Sequence, residues 1–176
     1  LMQAGHAMAV PNGYSMAEAA AVAEVFLTAY QLLCSIGNLQ TGQRVLIHAG
    51  ASGVGTAAIQ LACALGAEVA VTASNEEKLS ACRQLGAGLI INYTTTDFAQ
   101  VLAQQWPEGI NLILDPVAGD YIRREIPLLA MDAKVVIYAM MGGRDIPSLD
   151  LAALFKRRGQ LICSTLRNRS NRYKTN

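Results

Sequence analysis

Val45-Leu46-Ile47-His48-Ala49-Gly50-Ala51-Ser52-Gly53-Val54-Gly55-Thr56-Ala57-Ala58-Ile59-Gln60-Leu61-Ala62 is the stretch whose reading decides the fold. Its first residues form a short apolar run that reads as a buried strand. From Val54 the small and aliphatic residues read as a helix. Between them stand three glycines in the pattern Gly50-x-x-Gly53-x-Gly55. A strand that turns directly into a helix leaves the first helical N–H groups unpaired, and the helix dipole there favours an anion by about 0.3–1 kcal/mol. Glycine is needed where backbone and ligand approach closely, or where the helix must lie tight on its strand. The spacing is a variant of GxGxxG and takes its meaning from context: a strand before it, a small-residue helix after it, and a further strand from Glu68. Gly50, Ser52, Gly53, Val54 and Gly55 are thus candidate contacts for the pyrophosphate of a dinucleotide. Ser52 has two readings, as a donor to the ligand or as a small turn residue.

Outward from this bend, short apolar runs alternate with helical patterns to the end of the chain. The expected strands are Arg44 to Ala49, Glu68 to Ala73, Leu89 to Asn92, Ile110 to Asp115, Lys134 to Met140 and Gln160 to Ser164. The expected helices are Val54 to Leu65, Glu76 to Leu85, Asp97 to Gln105, Tyr121 to Ala130 and Leu151 to Lys156. Strands and helices at this spacing make βαβ units with right-handed connections. The fold class is α/β: a Rossmann, doubly wound parallel sheet of six strands in the order 3-2-1-4-5-6. Before it, an Ala-rich helix from Ser15 to Leu33 opens with Ser15 and Glu18 in capping-box spacing. Residues 1–14 read as a linker or the remnant of a preceding domain, and residues 15–176 as one nucleotide-binding domain.

Composition agrees with a buried sheet. Of 176 residues, 52% are hydrophobic and 15% charged, as strands covered on both faces require. A net charge of +1 gives no reason to expect nucleic acid or an anionic membrane as partner. No apolar run reads as long enough to span a bilayer, and no signal peptide is apparent. Cys34, Cys63, Cys82 and Cys163 are scattered, with no metal-ligand spacing, which is the usage of buried thiols in a reducing cytoplasm. His6 and His48 add no cluster, so no metal site is expected.

The choice of nucleotide rests on the tip of the second strand. Nucleotides without a 2′-phosphate are held there by an Asp or Glu that accepts from the ribose hydroxyls. Here the tip reads Val71-Thr72-Ala73-Ser74-Asn75, without a carboxylate. Glu76 and Glu77 lie in the first turn of the next helix, where the dipole favours them anyway. Ser74 can hydrogen-bond a 2′-phosphate, and Lys78 lies one turn into the helix at the same corner. Lys78 alone reads better as a solvated helix residue; with the acid missing, the pair favours NADP(H).

Several stretches together resemble one family. They are Ala19 to Tyr30, Gly42 to Gly50 with the glycine loop, Leu85-Gly86-Ala87, Ile91-Asn92-Tyr93, Asn111 to Asp115 and Phe155 to Gly159. The chain is similar over nearly its whole length to the cofactor-binding domain of zinc-independent medium-chain dehydrogenase/reductases, the zeta-crystallin-like quinone oxidoreductases. That resemblance implies hydride transfer from NADPH to a quinone, with an enoyl reductase or a non-catalytic nucleotide-binding module as alternatives. It implies that Lys78 and Tyr93 hold the adenosine 2′-phosphate and adenine. It also implies that Thr28 with Tyr30, and Met140 with Gly142, lie beside the nicotinamide end. Asp115 matches a strand end where structural hydrogen bonding and ligand contact both fit. Glu24 stands where zinc-dependent relatives carry a cysteine ligand, which implies the zinc-free branch. No acid–base pair or nucleophile is apparent, so no catalytic residue is assigned. Family members carry a further catalytic domain that supplies half the substrate cleft. The expectation is therefore a fragment that binds nucleotide weakly and turns over little or no quinone, the full protein's substrate being a small-molecule quinone or enone. A homodimer is expected through the edge strand near Gln160 to Ser164.

Overall fold

The computed structural model describes residues 7–146 and 148–175. Its elements are α1 (Met16–Tyr30), β1 (Arg44–Ile47), α2 (Gly53–Ala64), β2 (Glu68–Ala73), α3 (Glu76–Gln84), β3 (Leu89–Asn92), α4 (Phe98–Gln105), β4 (Ile110–Asp115), α5 (Asp120–Glu125), β5 (Leu129–Ile137), α6 (Leu151–Lys156), β6 (Gln160–Cys163) and α7 (Asn171–Thr175). The six strands form one sheet in the order β3-β2-β1-β4-β5-β6, every pair parallel. The expected fold class and strand order are the observed ones.

Alternation along each strand sorts the core into two layers. Val45, Ile47, Val71 and Leu114 face α1, α2 and α3, while Leu46, Ala70, Ile113 and Val135 face α4, α5 and α6. Strand residues buried on both faces must be apolar at successive positions, which is why these runs lack the polar alternation of a half-exposed sheet. Helices leave β1 and β4 toward opposite faces, so a cleft opens at the carboxyl ends of these adjacent strands. That switch point is where open α/β sheets take their ligands.

Several boundaries differ from expectation, each for a local reason. β1 stops at Ile47 rather than Ala49, because Ala49 already turns with φ +52°. The run expected as a helix from Tyr121 to Ala130 is helical only to Glu125; a 3₁₀ turn (Ile126–Leu128) follows, and β5 begins at Leu129. Pro127 removes an amide donor, and Leu129 instead pairs with Ile110. The register then jumps to Leu112 against Lys134, so an irregular segment containing exposed Asp132 (φ +60°) is looped out. β5 consequently starts earlier than Lys134 and ends at Ile137, before Met140.

The N-terminal helix forms with its capping box made: the Ser15 hydroxyl accepts from Glu18 N–H, and the Ser15 amide donates to Glu18 Oε2 at 2.8 Å. Beyond Tyr30 it widens into a π-helical segment (Gln31–Ile36). The continuous helix Met16–Ile36 has 21 residues and is long and apolar enough to cross a membrane by length and composition, which corrects the expectation that no run reaches that length. Much of its hydropathy is alanine, it carries exposed Glu18 and Glu24, and Ala29, Leu32 and Leu33 are buried in the core. The expected linker 1–14 falls partly outside the described residues; residues 7–15 contain no helix or strand.

Candidate functional site

The bend after β1 is assembled from contacts within the protein. A Cβ on Gly55 would stand 2.5 Å from the carbonyl oxygens of Ala49 and Gly50, so only glycine lets α2 start directly over β1. A Cβ on Gly53 would stand 2.9 Å from Val25, the point where α1 crosses α2. Ser52 is the N-cap of α2: its Oγ accepts from Gly55 N–H at 3.0 Å, and its carbonyl accepts from Thr56 N–H. Of its two readings, the structure makes the turn role explicit. The Gly50 amide donates to the Thr72 carbonyl of β2 at 3.0 Å. Among the described residues, the amides of Gly53 and Val54 donate to nothing. Two unpartnered N–H groups at the start of a twelve-residue helix make an anion cradle.

The second half of the site is the corner where β2 and β3 end. Asn75 caps α3 by accepting from Lys78 N–H at 2.9 Å, which aims the first turn of α3 back over the strand tip. Lys78 Nζ then donates to Ser74 Oγ at 3.2 Å. Among the described residues no carboxylate pairs with Lys78, so a neutral hydroxyl is its partner and its charge is uncompensated. Tyr93 follows β3, held by its amide on the Ala73 carbonyl, and the residue is 44% exposed. Ser74, Lys78 and Tyr93 thus share one solvent-facing corner.

The loop after β5 is laid against the turn after β4. The amides of Met141 and Gly142 donate to the carbonyls of Pro116 and Val117 at 3.0 and 2.7 Å. That turn is organised by Asp115, whose Oδ1 accepts from the amides of Val117 and Ala118 at 2.6 and 2.9 Å. Asp115 therefore does structural work. Met140 is 62% exposed at the rim. Thr28 lies half-buried on α1, one turn beyond Val25.

Sequence reasoning passed over a buried polar cluster beneath the bend. His48, directly before Ala49, is wholly buried, with Nδ1 2.9 Å from Thr72 Oγ1 and Nε2 3.0 Å from Glu125 Oε1. Its ring meets Phe98 and Tyr121 edge-on, both at 4.9 Å between centroids. Burial holds His48 down to about 4 and pushes the Glu125 carboxyl up to about 8. Burial, the largest cause, raises Asp115 to about 6, and burial raises the Tyr138 hydroxyl. A charged residue on the apolar face of a helix was the available signal, since Glu125 sits between Ile122 and Ile126, both buried.

Depressions of about 380 and 340 Å³ lie elsewhere, the first by Glu68 and Trp106 at the opposite strand ends, the second by Leu79 and Thr95 along the β3 edge. Neither touches the glycine bend.

Comparison with known proteins agrees with the fold. Residues 53–176 match the family described as zinc-binding dehydrogenase. The human synaptic vesicle membrane protein VAT-1 homolog is 34% identical over 145 residues, which are 82% of this chain and 37% of that protein. Three solved structures superpose closely. The quinone oxidoreductase of Pseudomonas syringae pv. Tomato DC3000 has a TM-score of 0.80 and 28% identity, covering 90% of this chain and 49% of that one. The enoyl reductase CurK has 0.77 and 33%, covering 91% and 47%. A mycobacterial protein complexed with NADPH has 0.79 and 28%, covering 89% and 48%. The chain thus spans about half the length of these structures and about a third of the curated relative.

Proposed function

Because this chain belongs to the zinc-binding dehydrogenase family, within the medium-chain dehydrogenase/reductases, and corresponds to their cofactor-binding domain, we propose that it holds NADP(H) for hydride transfer to a quinone. The observation that carries the reading is the uncompensated ammonium of Lys78 on Ser74 Oγ, at a strand tip without a carboxylate. The donor set fits the nucleotide. The Gly53 and Val54 amides face a diphosphate, Ser74 and Lys78 receive the 2′-phosphate, and the ring of the exposed Tyr93 offers a stacking face to adenine. Thr28, Met140 and Gly142 border the nicotinamide end. The nicotinamide, when bound, supplies the hydride. The chain's own contribution is to fix the diphosphate and the 2′-phosphate at separated points, so that the reactive ring has one position relative to the cleft.

The family's name carries zinc. Among the described residues no three His, Cys, Asp or Glu side chains converge as ligands, and Glu24 is exposed on α1, so these residues do not fit a zinc site. A conjugated alkene is the second acceptor class to consider, favoured by the likeness to CurK enoyl reductase, the most sequence-similar of the three structures above. A homodimer through the outer edge of β6, which among the described residues pairs only with β5, and a cytoplasmic location in keeping with four free thiols complete the proposal. Calorimetry tests the nucleotide: NADPH should bind at least tenfold tighter than NADH, and equal affinity would overturn the assignment. Following NADPH consumption with a simple quinone and with an enone separates the acceptors.

A further inference from the structure

The buried cluster under the bend has an unusual accounting of donors. Glu125 is wholly buried, and neither of its oxygens has a partner in hydrogen-bond geometry. Among the described residues the polar contact it makes is with His48 Nε2 at 3.0 Å, which is likewise without another partner. Distance and angle disagree for this contact. Distance carries more weight, since a small rotation of the carboxyl restores the angle while no rotation supplies a second donor. The other groups around Glu125 are already engaged. Arg124 stacks over Phe98 at 4.1 Å and donates to Asp97, at the N-terminus of α4. Asp115, from β4, holds its charge on the Val117 and Ala118 amides. Thr72, from β2, faces the other ring nitrogen of His48. The ring of Tyr121 on α5 meets the His48 ring edge-on.

An ionised carboxylate without donors is not sustained in such a place, and Asp115 already carries the negative charge there. A proton on Glu125 resolves the accounting: its O–H donates to Nε2, so Nδ1 carries the hydrogen and donates to Thr72 Oγ1. Thr72 is then gripped twice, by His48 at its hydroxyl and by the Gly50 amide at its carbonyl. His48 is itself tied by its amide to the Leu114 carbonyl and immediately precedes Ala49, whose φ of +52° persists only if its neighbours hold it.

We propose that Glu125, as a neutral buried acid donating to His48, is a positioning residue for the nucleotide, and that loss of its proton loosens the glycine bend and weakens NADP(H) binding. This rests on the nucleotide reading above and deepens it. The upward shift of the Glu125 carboxyl through burial agrees with the donor accounting.

Two measurements on the 176-residue chain test it. ¹⁵N NMR of labelled histidine reads the tautomer without any nucleotide: His48 should carry its hydrogen on Nδ1 at neutral pH, and a hydrogen on Nε2 overturns the proposal. Fluorescence titration with NADPH from pH 7 to 9 should show the dissociation constant rising about tenfold, as one proton held by the competent state demands. E125A should bind poorly throughout, whereas E125Q, which keeps an N–H donor and has no proton to lose, should restore binding and flatten the profile. An E125Q profile that tracks the wild type overturns the proposal. Absence of NADPH binding at pH 7 with the Nδ1–H tautomer present would sink the nucleotide reading and, with it, the positioning role; the hydrogen-bond assignment would stand.

Discussion

The glycine bend and the Ser74–Lys78 corner are two halves of one cleft, yet they are built in opposite ways. At the bend, Gly53 and Gly55 lack side chains because α1 and the β1 backbone occupy the space, and the layer below is a sealed set of buried polar groups. At the corner, Lys78 and Tyr93 are exposed and Ser74 half-buried, Lys78 and Ser74 are joined by a single contact, and one charge is unanswered. The difference teaches where each kind of substitution should register. Changes at the bend act first on folding and only then on the ligand. Changes at the corner act on the choice of ligand and leave folding alone.

The largest test of that division is Gly55→Ala. The added Cβ meets two backbone oxygens at 2.5 Å, and backbone cannot step aside as a side chain can. A loss of about 3 kcal/mol in unfolding free energy is expected by urea titration. A cost below about 1 kcal/mol would show the bend to be far looser than described.

Next in size is the dependence of stability on pH, which probes the layer beneath the bend. Glu125 keeps its proton up to about 8 in the folded protein, against an ordinary value of 4.5, so across that window the folded state holds a proton that the unfolded chain has lost. Stability attributable to it therefore falls as pH rises, by about 1.4 kcal/mol per unit. His48 runs the other way, because its folded value of about 4 lies below 6.5 and stability rises between those limits. Asp115, raised to about 6, repeats the Glu125 direction below that pH. The opposed slopes offset one another in part below pH 6.5. Between 6.5 and 8 Glu125 acts alone, and denaturant titrations should show a fall of about 2 kcal/mol that Glu125→Gln removes. A flat wild-type profile would mean that the carboxyl is ionised or open to water.

Smaller again is Lys78→Ala at the corner. NADPH affinity should fall about tenfold by calorimetry while NADH affinity and melting temperature hold steady. A matching loss for NADH would place Lys78 in general binding and blur the contrast between the two halves. The smallest effect expected is that of Ser52→Ala, which removes the α2 cap and should cost about 1 kcal/mol, with Ser52→Gly costing less.

Much of the fold was legible because the signals were local. The glycine spacing between a strand and a small-residue helix, and apolar runs of strand length, name a doubly wound sheet without knowledge of any contact. Residues 126–133 were not legible. Their apolar run continues the helix by composition, and only the pairing of Leu129 with Ile110 across the sheet turns it into strand. At the site, Ser74 and Lys78 could be read because a missing carboxylate and a nearby lysine are local facts. His48 and Glu125 could not be paired, since 77 positions separate them and each alone reads as an ordinary strand or helix residue. Asp115 stayed open for a different reason: its partners, the Val117 and Ala118 amides, are close in sequence, but a strand-end carboxylate accepts equally from backbone or from ligand and side-chain types do not say which.

The central claim is that free amides at one bend and one ammonium at the neighbouring corner bind the same molecule. Amide and side-chain NMR of the labelled chain, titrated with NADPH, reads both places at once. The account predicts the largest shifts at Gly53 and Val54 N–H, with Lys78 Nζ and Ser74 moving over the same concentration range. Shifts centred on the depression near Glu68 and Trp106, with Gly53 and Val54 unmoved, would contradict it.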